Sequence, residues 1–358
     1  MPDRTSPEPA TAPIPTDALV IGAGPTGLFQ VFQLGLHEIH CHVVDSLPVP
    51  GGQCIELYPD KPIYDIPAVP VCTGRELVER LLTQVAPMAP TFHLAQQVSA
   101  IAPQADGRLE VTTSAGTRFL ARTVFIAGGV GSFQPRHLKL DGIDRFIGRQ
   151  VFHSGDTPPA VEGRHVIVLG EDDAALEAAL SLADAGIDRP ASVTLMHRRD
   201  AFKAASATVD RMHAACAVGW MRFVACQAIG FESSGETLTH LTVAGADGST
   251  SLLPVDLLIV LWGLSPKLGA IADWGVMLER KQVVVDTEKF ETSVPRIFAV
   301  GDVNTYPGKK KLIVCGFHEA TMAAYAAAQC VFPDRPVQVQ YTTTSTRLHR
   351  LLGVAPDA

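Results

Sequence analysis

Asp17-Ala18-Leu19-Val20-Ile21-Gly22-Ala23-Gly24-Pro25-Thr26-Gly27-Leu28-Phe29 is an apolar run that breaks into Gly-x-Gly-x-x-Gly and resumes with helical spacing. That order is the pattern of a first strand, a tight turn and a helix whose N-terminus faces a dinucleotide. Gly22 permits the turn, Gly24 lets backbone approach a pyrophosphate, and Gly27 lets the helix lie close on the strand. Taken alone, the motif leaves FAD, NAD and NADP open. The next strand, His40-Cys41-His42-Val43-Val44-Asp45, ends in an acid roughly 20 residues past the glycines, where a ribose hydroxyl is held in such units.

Pro50-Gly51-Gly52-Gln53-Cys54-Ile55-Glu56-Leu57-Tyr58-Pro59 follows as a turn-rich loop at the carboxyl ends of the strands, where an open α/β sheet takes its ligand. Gln53 is a candidate to bond a flavin or nucleotide edge and Tyr58 to stack on a ring. A helix is expected from about Gly74 to Val85. Strands are expected at Thr91-Phe92-His93-Leu94 and Val98-Ser99-Ala100-Ile101, with a hairpin around Ser114-Ala115-Gly116 and a buried strand at Thr123-Val124-Phe125-Ile126-Ala127.

A second strand, turn and helix begins at His165-Val166-Ile167-Val168-Leu169-Gly170, and its second strand ends in His197-Arg198-Arg199. Arg198 and Arg199 suit a 2′-phosphate through charge-assisted bonds, so NADP(H) is preferred over NAD(H). Only the first glycine of the fingerprint is present, because Glu171, Asp172 and Asp173 follow Gly170. A carboxylate about 4 Å from a phosphate costs on the order of 4 kcal/mol at an effective dielectric near 20, less where salt and solvent reach it. Further on, Ile297-Phe298-Ala299-Val300-Gly301-Asp302 is a buried strand ending at an acid suited to a ribityl hydroxyl. A helix opening near Gly316 would point N–H groups at a flavin's pyrimidine edge.

With 358 residues, 47% of them hydrophobic, the chain can bury a sizeable core in two domains. No apolar run approaches the roughly 18 residues of a membrane span. The first sixteen residues hold five prolines and no apolar signal region, and they read as a disordered tail of a cytoplasmic protein. Seven scattered cysteines form no metal-ligand pattern, so no metal site is expected and most of the thiols are taken as reduced and largely buried. A net charge of −8 argues against nucleic acid as the partner.

These segments together resemble the thioredoxin-reductase-like class of ferredoxin–NADP reductases over nearly the whole chain. Besides the first fingerprint, the loop through Tyr58 and His197-Arg198-Arg199, the resemblance is carried by Gly301-Asp302-Val303-Asn304-Thr305-Tyr306-Pro307-Gly308-Lys309-Lys310-Lys311-Leu312, Gly316-Phe317-His318-Glu319-Ala320 and Tyr341-Thr342-Thr343-Thr344-Ser345. It implies an α/β fold of two Rossmann-like, three-layer domains with the NADP domain inserted in the FAD domain. The expected spans are 17–130 and 287–339 for FAD, 131–286 for NADP, and 340–358 as a C-terminal extension. It implies FAD contacts at Thr26, Asp45, Gln53, Tyr58, Val98, Phe133, Asp302 and Thr343. Tyr58 stacks on the isoalloxazine, and the extension with Thr343 covers the other flavin face, that of the partner in a homodimer.

The implied activity is hydride exchange between NADPH and FAD coupled to one-electron exchange with ferredoxin or flavodoxin, with no acid or base side chain nominated. Where a thioredoxin reductase carries Cys-x-x-Cys, this chain has Phe152-His153-Ser154-Gly155-Asp156. It departs from the class at Gly170-Glu171-Asp172-Asp173-Ala174, where Gly-Gly-Gly-Asp-Ser is expected, and at Lys203, where an arginine is usual. Two rivals stand beside the reductase: a flavoprotein sensor or structural partner that uses NADPH poorly, and an NADPH reductase with another acceptor. Lys309, Lys310 and Lys311 are candidates for a basic face toward an acidic ferredoxin.

Overall fold

The computed structural model describes residues 12–153, 156–184, 186–337 and 341–354. The chain divides into two compact units, one made of residues 1–132 and 267–358, the other of residues 133–266. The second is therefore an insertion in the first.

In the first unit, β1 (Ile14–Ile21) runs into the glycine turn and α1 (Pro25–Leu36) leaves it. Ile14, Pro15 and Thr16, expected as the end of the tail, instead pair with Phe119, Leu120 and Ala121. Pro15 sits where β1 has a neighbour on one side only, since β2 (Cys41–Val44) joins from Ala18 onward. The rest of the expected tail, residues 1–11, lies outside the described residues. After the short α2 (Gln53–Glu56), α3 (Gly74–Val85) opens on a capping box: Thr73 accepts from Glu76 N–H at 3.1 Å, and Glu76 accepts from Thr73 N–H at 2.8 Å. Leu77, Val78, Leu81 and Val85 form its buried stripe.

β3 (Thr91–His93), β4 (Val98–Pro103), β5 (Leu109–Thr113) and β6 (Arg118–Ile126) complete the first segment. The strands expected on either side of Arg122 are one continuous β6. Its first half carries the antiparallel β4–β5 meander, and its second half is buried beside β1 in parallel.

The inserted unit holds β7 (Val151–His153), β8 (His165–Leu169), α4 (Asp173–Ala183), β9 (Ser192–His197), α5 (Ser206–Ala217), β10 (Arg222–Ser234), β11 (Thr237–Gly245), β12 (Thr250–Pro254) and β13 (Leu257–Val260). The strand order is β7-β13-β8-β9-β10-β11-β12, parallel as far as β10 and antiparallel beyond. Ile167 and Leu169 enter one apolar cluster, Val166 and Val168 the other. A strand buried on both faces must be apolar at every position, and that is why β8 reads as an unbroken hydrophobic run.

The return to the first unit falls at Lys267, ahead of the expected 287. Ile271, Trp274, Val276, Val283 and Val285 bury in the first unit's core, and residues 283–284 pair in parallel with Asn304 and Thr305. β14 (Ile297–Ala299) then lies parallel to β6, giving the order β3-β2-β1-β6-β14. Phe298 stacks on Phe125 at 5.0 Å between centroids. Each such fully buried ring contributes about 1.5–3 kcal/mol of transfer free energy. α6 (Ile313–Val331) buries Gly316, Ala320, Ala323, Ala324, Ala327 and Ala328, a small-residue face that packs closely on α1, and α7 (Thr346–Leu351) ends the described chain. No helix among the described residues is long and apolar enough to cross a membrane.

Candidate active site

The first glycine turn is built by close approach. Gly22 has φ +110°, and a Cβ there would stand 2.5 Å from the Ala127 carbonyl oxygen. A Cβ on Gly27 would collide with the Gly22 carbonyl oxygen. Gly24 caps α1 without a side-chain hydrogen bond, and no acid occupies the first turn. The terminal N–H groups of α1 are thus left for an anion.

Asp45, 8% exposed, accepts from Ala23 N–H at 2.5 Å through Oδ2 and from Leu47 N–H at 2.8 Å through Oδ1. Burial raises its pKa, and the two backbone bonds oppose that rise. Gln96 N–H donates to the Asp45 carbonyl at 2.9 Å, which brings the start of β4 and the buried Val98 to the same end of the sheet. The Gly51-Gly52 loop lies on the fingerprint: Gly51 N–H donates to the Ala23 carbonyl at 2.9 Å, and a Cβ on Gly52, φ +54°, would stand 3.0 Å from Gly24 Cα. From that loop the Gln53 amide reaches Gly129, 3.0 Å from where a Cβ would stand. Cys54 Sγ–H donates to Tyr58 Oη at 3.8 Å. Burial, then Cys54, then the charge of Asp302 push the Tyr58 phenol up, so its ring and hydroxyl stay neutral.

The turn after β14 meets α1 through Thr26. A Cβ on Gly301 would stand 3.1 Å from Thr26 Oγ1, and one on Gly316 would collide with that oxygen. Thr26 is therefore wedged between the Gly301-Asp302 turn and the first turn of α6, which is also uncapped and free of acids. Burial raises the Asp302 pKa, with Lys309 and Lys311 opposing.

Beneath this turn lies a network that reading the sequence missed. Glu319, 0% exposed, accepts through Oε2 from Gly301 N–H at 2.7 Å and Asn304 Nδ2 at 2.9 Å. Its Oε1 accepts from Tyr306 Oη at 2.9 Å and from Lys309 Nζ at 2.5 Å, and Lys309 also donates to the Gly301 carbonyl at 2.8 Å. The available signal was a carboxylate in register with Gly316, Ala320 and Ala323 on an alanine-rich helix, since a buried charge needs a partner. Lys309 is that partner, its side chain 7% exposed, so it offers no charge to a docking face. Lys310 and Lys311 are exposed.

In the inserted unit, Gly170 again marks a close approach: a Cβ there would stand 2.7 Å from the Leu261 carbonyl oxygen. Asp172 does not face outward as an unpaired charge but caps α4, Oδ1 accepting from Ala175 N–H at 3.1 Å. Glu171 turns to the end of β9, with Oε2 2.8 Å from His197 Nε2 and Oε1 2.5 Å from Lys203 Nζ. The Lys203 hydrogen bond first, joined by the nearby basic side chains, holds the Glu171 carboxyl below the usual range against the opposing effect of burial. Arg198 and Arg199 are exposed.

Two expected flavin contacts remain, Phe133 and Thr343. The side chain of Phe133 lies outside the described residues. Thr343 is exposed in a single turn beside a cavity of about 510 Å³ lined by His37, Tyr325 and Arg335. Arg347 anchors this segment by donating to the Gly35 carbonyl at 2.6 Å, at the C-terminal end of α1 and away from its glycine turn.

The sequence profile of the pyridine nucleotide-disulphide oxidoreductases matches residues 16–329. The chain belongs to that family. It is 57% identical over 342 residues to a protein of Methylibium petroleiphilum named ferredoxin–NADP reductase, covering 96% of this chain and 93% of the relative. A protein of Cupriavidus necator named ferredoxin–NADP reductase 2 is 57% identical over 338 residues, covering 94% and 90%. Among solved structures, bacillithiol disulfide reductase from Staphylococcus aureus superposes with a TM-score of 0.59 at 14% identity, covering 90% of this chain and 100% of that one. Thioredoxin reductase from T. acidophilum gives 0.54 at 20% identity, covering 88% and 98%. These structural likenesses establish a shared fold of two Rossmann-like units.

Proposed function

We propose that the chain is an FAD-dependent ferredoxin–NADP+ reductase. The observation that carries this reading is the uncapped N-terminus of α1, on which the Gly51-Gly52 loop and Thr26 with the Gly301-Asp302 turn converge. The names of the 57% identical relatives support the choice of reaction. A dinucleotide fits this cradle, since side chains are absent where backbone must approach and the helix donors are unclaimed.

Bound there, FAD supplies the exchange between a two-electron hydride donor and two one-electron carriers. The N–H groups of α1 would meet its pyrophosphate. Asp45 retains lone pairs for a ribose hydroxyl and Asp302 for the ribityl chain, while Tyr58 offers an uncharged ring for stacking. Gly170, His197, Arg198 and Arg199 would receive NADP(H).

Ferredoxin or flavodoxin is the inferred partner, with Lys310 and Lys311 left as basic contacts. Seven free cysteines fit a cytoplasmic setting. The position of Thr343 at the far end of its own α1 supports a homodimer in which the extension reaches the partner's flavin. Sedimentation at the monomer mass would exclude that arrangement.

Anaerobic mixing of the FAD-loaded chain with NADPH tests the reading. Rapid loss of the oxidised-flavin absorbance, followed by electron delivery to added ferredoxin, is the expected result. No loss with NADPH, while reduced ferredoxin still bleaches the flavin, refutes the reductase and favours a sensor.

A further inference from the structure

The three carboxylates after Gly170 have three different partners. Asp172 accepts from Ala175 N–H at 3.1 Å, and Asp173 Oδ1 accepts from Ala205 N–H at 2.9 Å. Only Glu171 reaches the end of β9, where it bridges His197 and Lys203. The bridge is fixed from both sides. Lys203 N–H donates to the Glu171 carbonyl at 2.6 Å, and His197 Nδ1 lies 2.9 Å from the Arg199 carbonyl oxygen, which turns Nε2 to Glu171. The His197 side chain is 11% exposed and that of Lys203 78%, so the His197 contact is built into the fold while the ammonium meets the carboxylate from the solvent side.

The end of the second strand is where such a unit holds the adenosine ribose, and cations there take a 2′-phosphate. A carboxylate drawing the His197 ring and the Lys203 ammonium together at that place has the charge and the bridging geometry of the phosphate itself. We propose that Glu171 is a specificity-determining residue, an internal anion that competes with the 2′-phosphate of NADP(H) for His197 and Lys203.

Two consequences follow from the chemistry. NADP(H) must displace Glu171 before it gains His197 and Lys203, whereas the 2′-hydroxyl of NAD(H) finds an acceptor already in place. Discrimination between the two dinucleotides is therefore compressed in this chain relative to a turn with glycine at position 171. The inference rests on reading the inserted unit as the nicotinamide dinucleotide site.

Calorimetric titration of the FAD-loaded full chain with NADP+ and with NAD+, both oxidised so that no turnover intervenes, tests it. Glu171→Gln and Glu171→Ala are expected to bind NADP+ at least tenfold tighter than the unaltered chain, with NAD+ changed less than threefold. In a Lys203→Ala background the gain from Glu171→Ala should fall below threefold. An NADP+ affinity within twofold of the unaltered chain in both variants overturns the proposal, as does NAD+ gaining as much as NADP+. Failure of Glu171→Ala to bind NADP+ at all overturns it too. Tight NADP+ binding without flavin reduction by NADPH sinks the reductase reading alone.

Discussion

Lys309→Met removes the one cation paired, among the described residues, with a carboxylate that solvent does not reach. At 2.5 Å and an effective dielectric near 20, the Lys309–Glu319 attraction is on the order of 7 kcal/mol, and the several kcal/mol lost per ion on leaving water offset most of it. The pair therefore adds little net stability, while the variant leaves the buried Glu319 carboxyl without its ion-pair partner. Removing one partner of such a pair costs about 3–5 kcal/mol. The lost bond from Lys309 Nζ to the Gly301 carbonyl adds about 1 kcal/mol. Because Glu319 also holds Gly301 N–H and Asn304, the damage falls on the turn that carries Asp302, and FAD should bind more weakly. Urea unfolding of the FAD-free chain and retention of FAD on dilution measure the two effects separately. Lys310→Met and Lys311→Met, both at exposed positions, should stay within about 0.5 kcal/mol of the unaltered chain. A Lys309→Met cost below about 1 kcal/mol, with FAD retained, would show that the network does not bear on the turn.

Gly316→Ala places a methyl group against Thr26 Oγ1 and should cost about 1–3 kcal/mol and loosen FAD; Thr26→Ala added to it should recover part of both, and no recovery would remove Thr26 as the colliding group. His42 Nδ1 lies 2.9 Å from His93 Nε2, and burial first, with His93's charge added for His42, lowers both pKa values. The unfolded chain therefore binds more protons below its histidine pKa of about 6.5, so stability is full above that pH and is lost as pH falls through it. The urea midpoint should drop between about pH 7.5 and about pH 5.5, and His93→Gln should flatten the drop; an unchanged slope would place the pH dependence elsewhere.

Much of the first site was legible because its determinants are local. Gly22, Gly24 and Gly27 stand within one turn, and Asp45 ends the next strand, so spacing alone orders them. The same holds for Thr73 and Glu76, which set the start of α3 within three residues. The Lys309 run shows the opposite case. Three adjacent lysines are indistinguishable in sequence, yet only Lys309 turns inward, because the face of α6 that presents Glu319 is set by packing on α1. Likewise nothing near Lys267 marks the return crossing. It is decided by which core receives Ile271, Trp274 and Val283, and Val283 joins by pairing with Asn304 some twenty residues later.

The two glycine turns, alike in position, differ in what their helix donors already hold. α1 begins with Gly24 and Pro25 and brings no side-chain acceptor of its own, so among the described residues its first N–H groups are left for the proposed pyrophosphate. α4 begins with Asp172 as its cap and Asp173 in the first turn, and Glu171 extends the same substitution to the ribose end. An N-cap aspartate stabilises a helix by about 1 kcal/mol over an uncapped one, and replacement by glycine loses only a few tenths. The inserted unit therefore gains little stability from Asp172 that glycine would not give. On the proposed reading of this unit as the NADP(H) site, these acids bring negative charge to the two places where the dinucleotide would carry its own, so the difference between the turns bears on ligand choice far more than on folding.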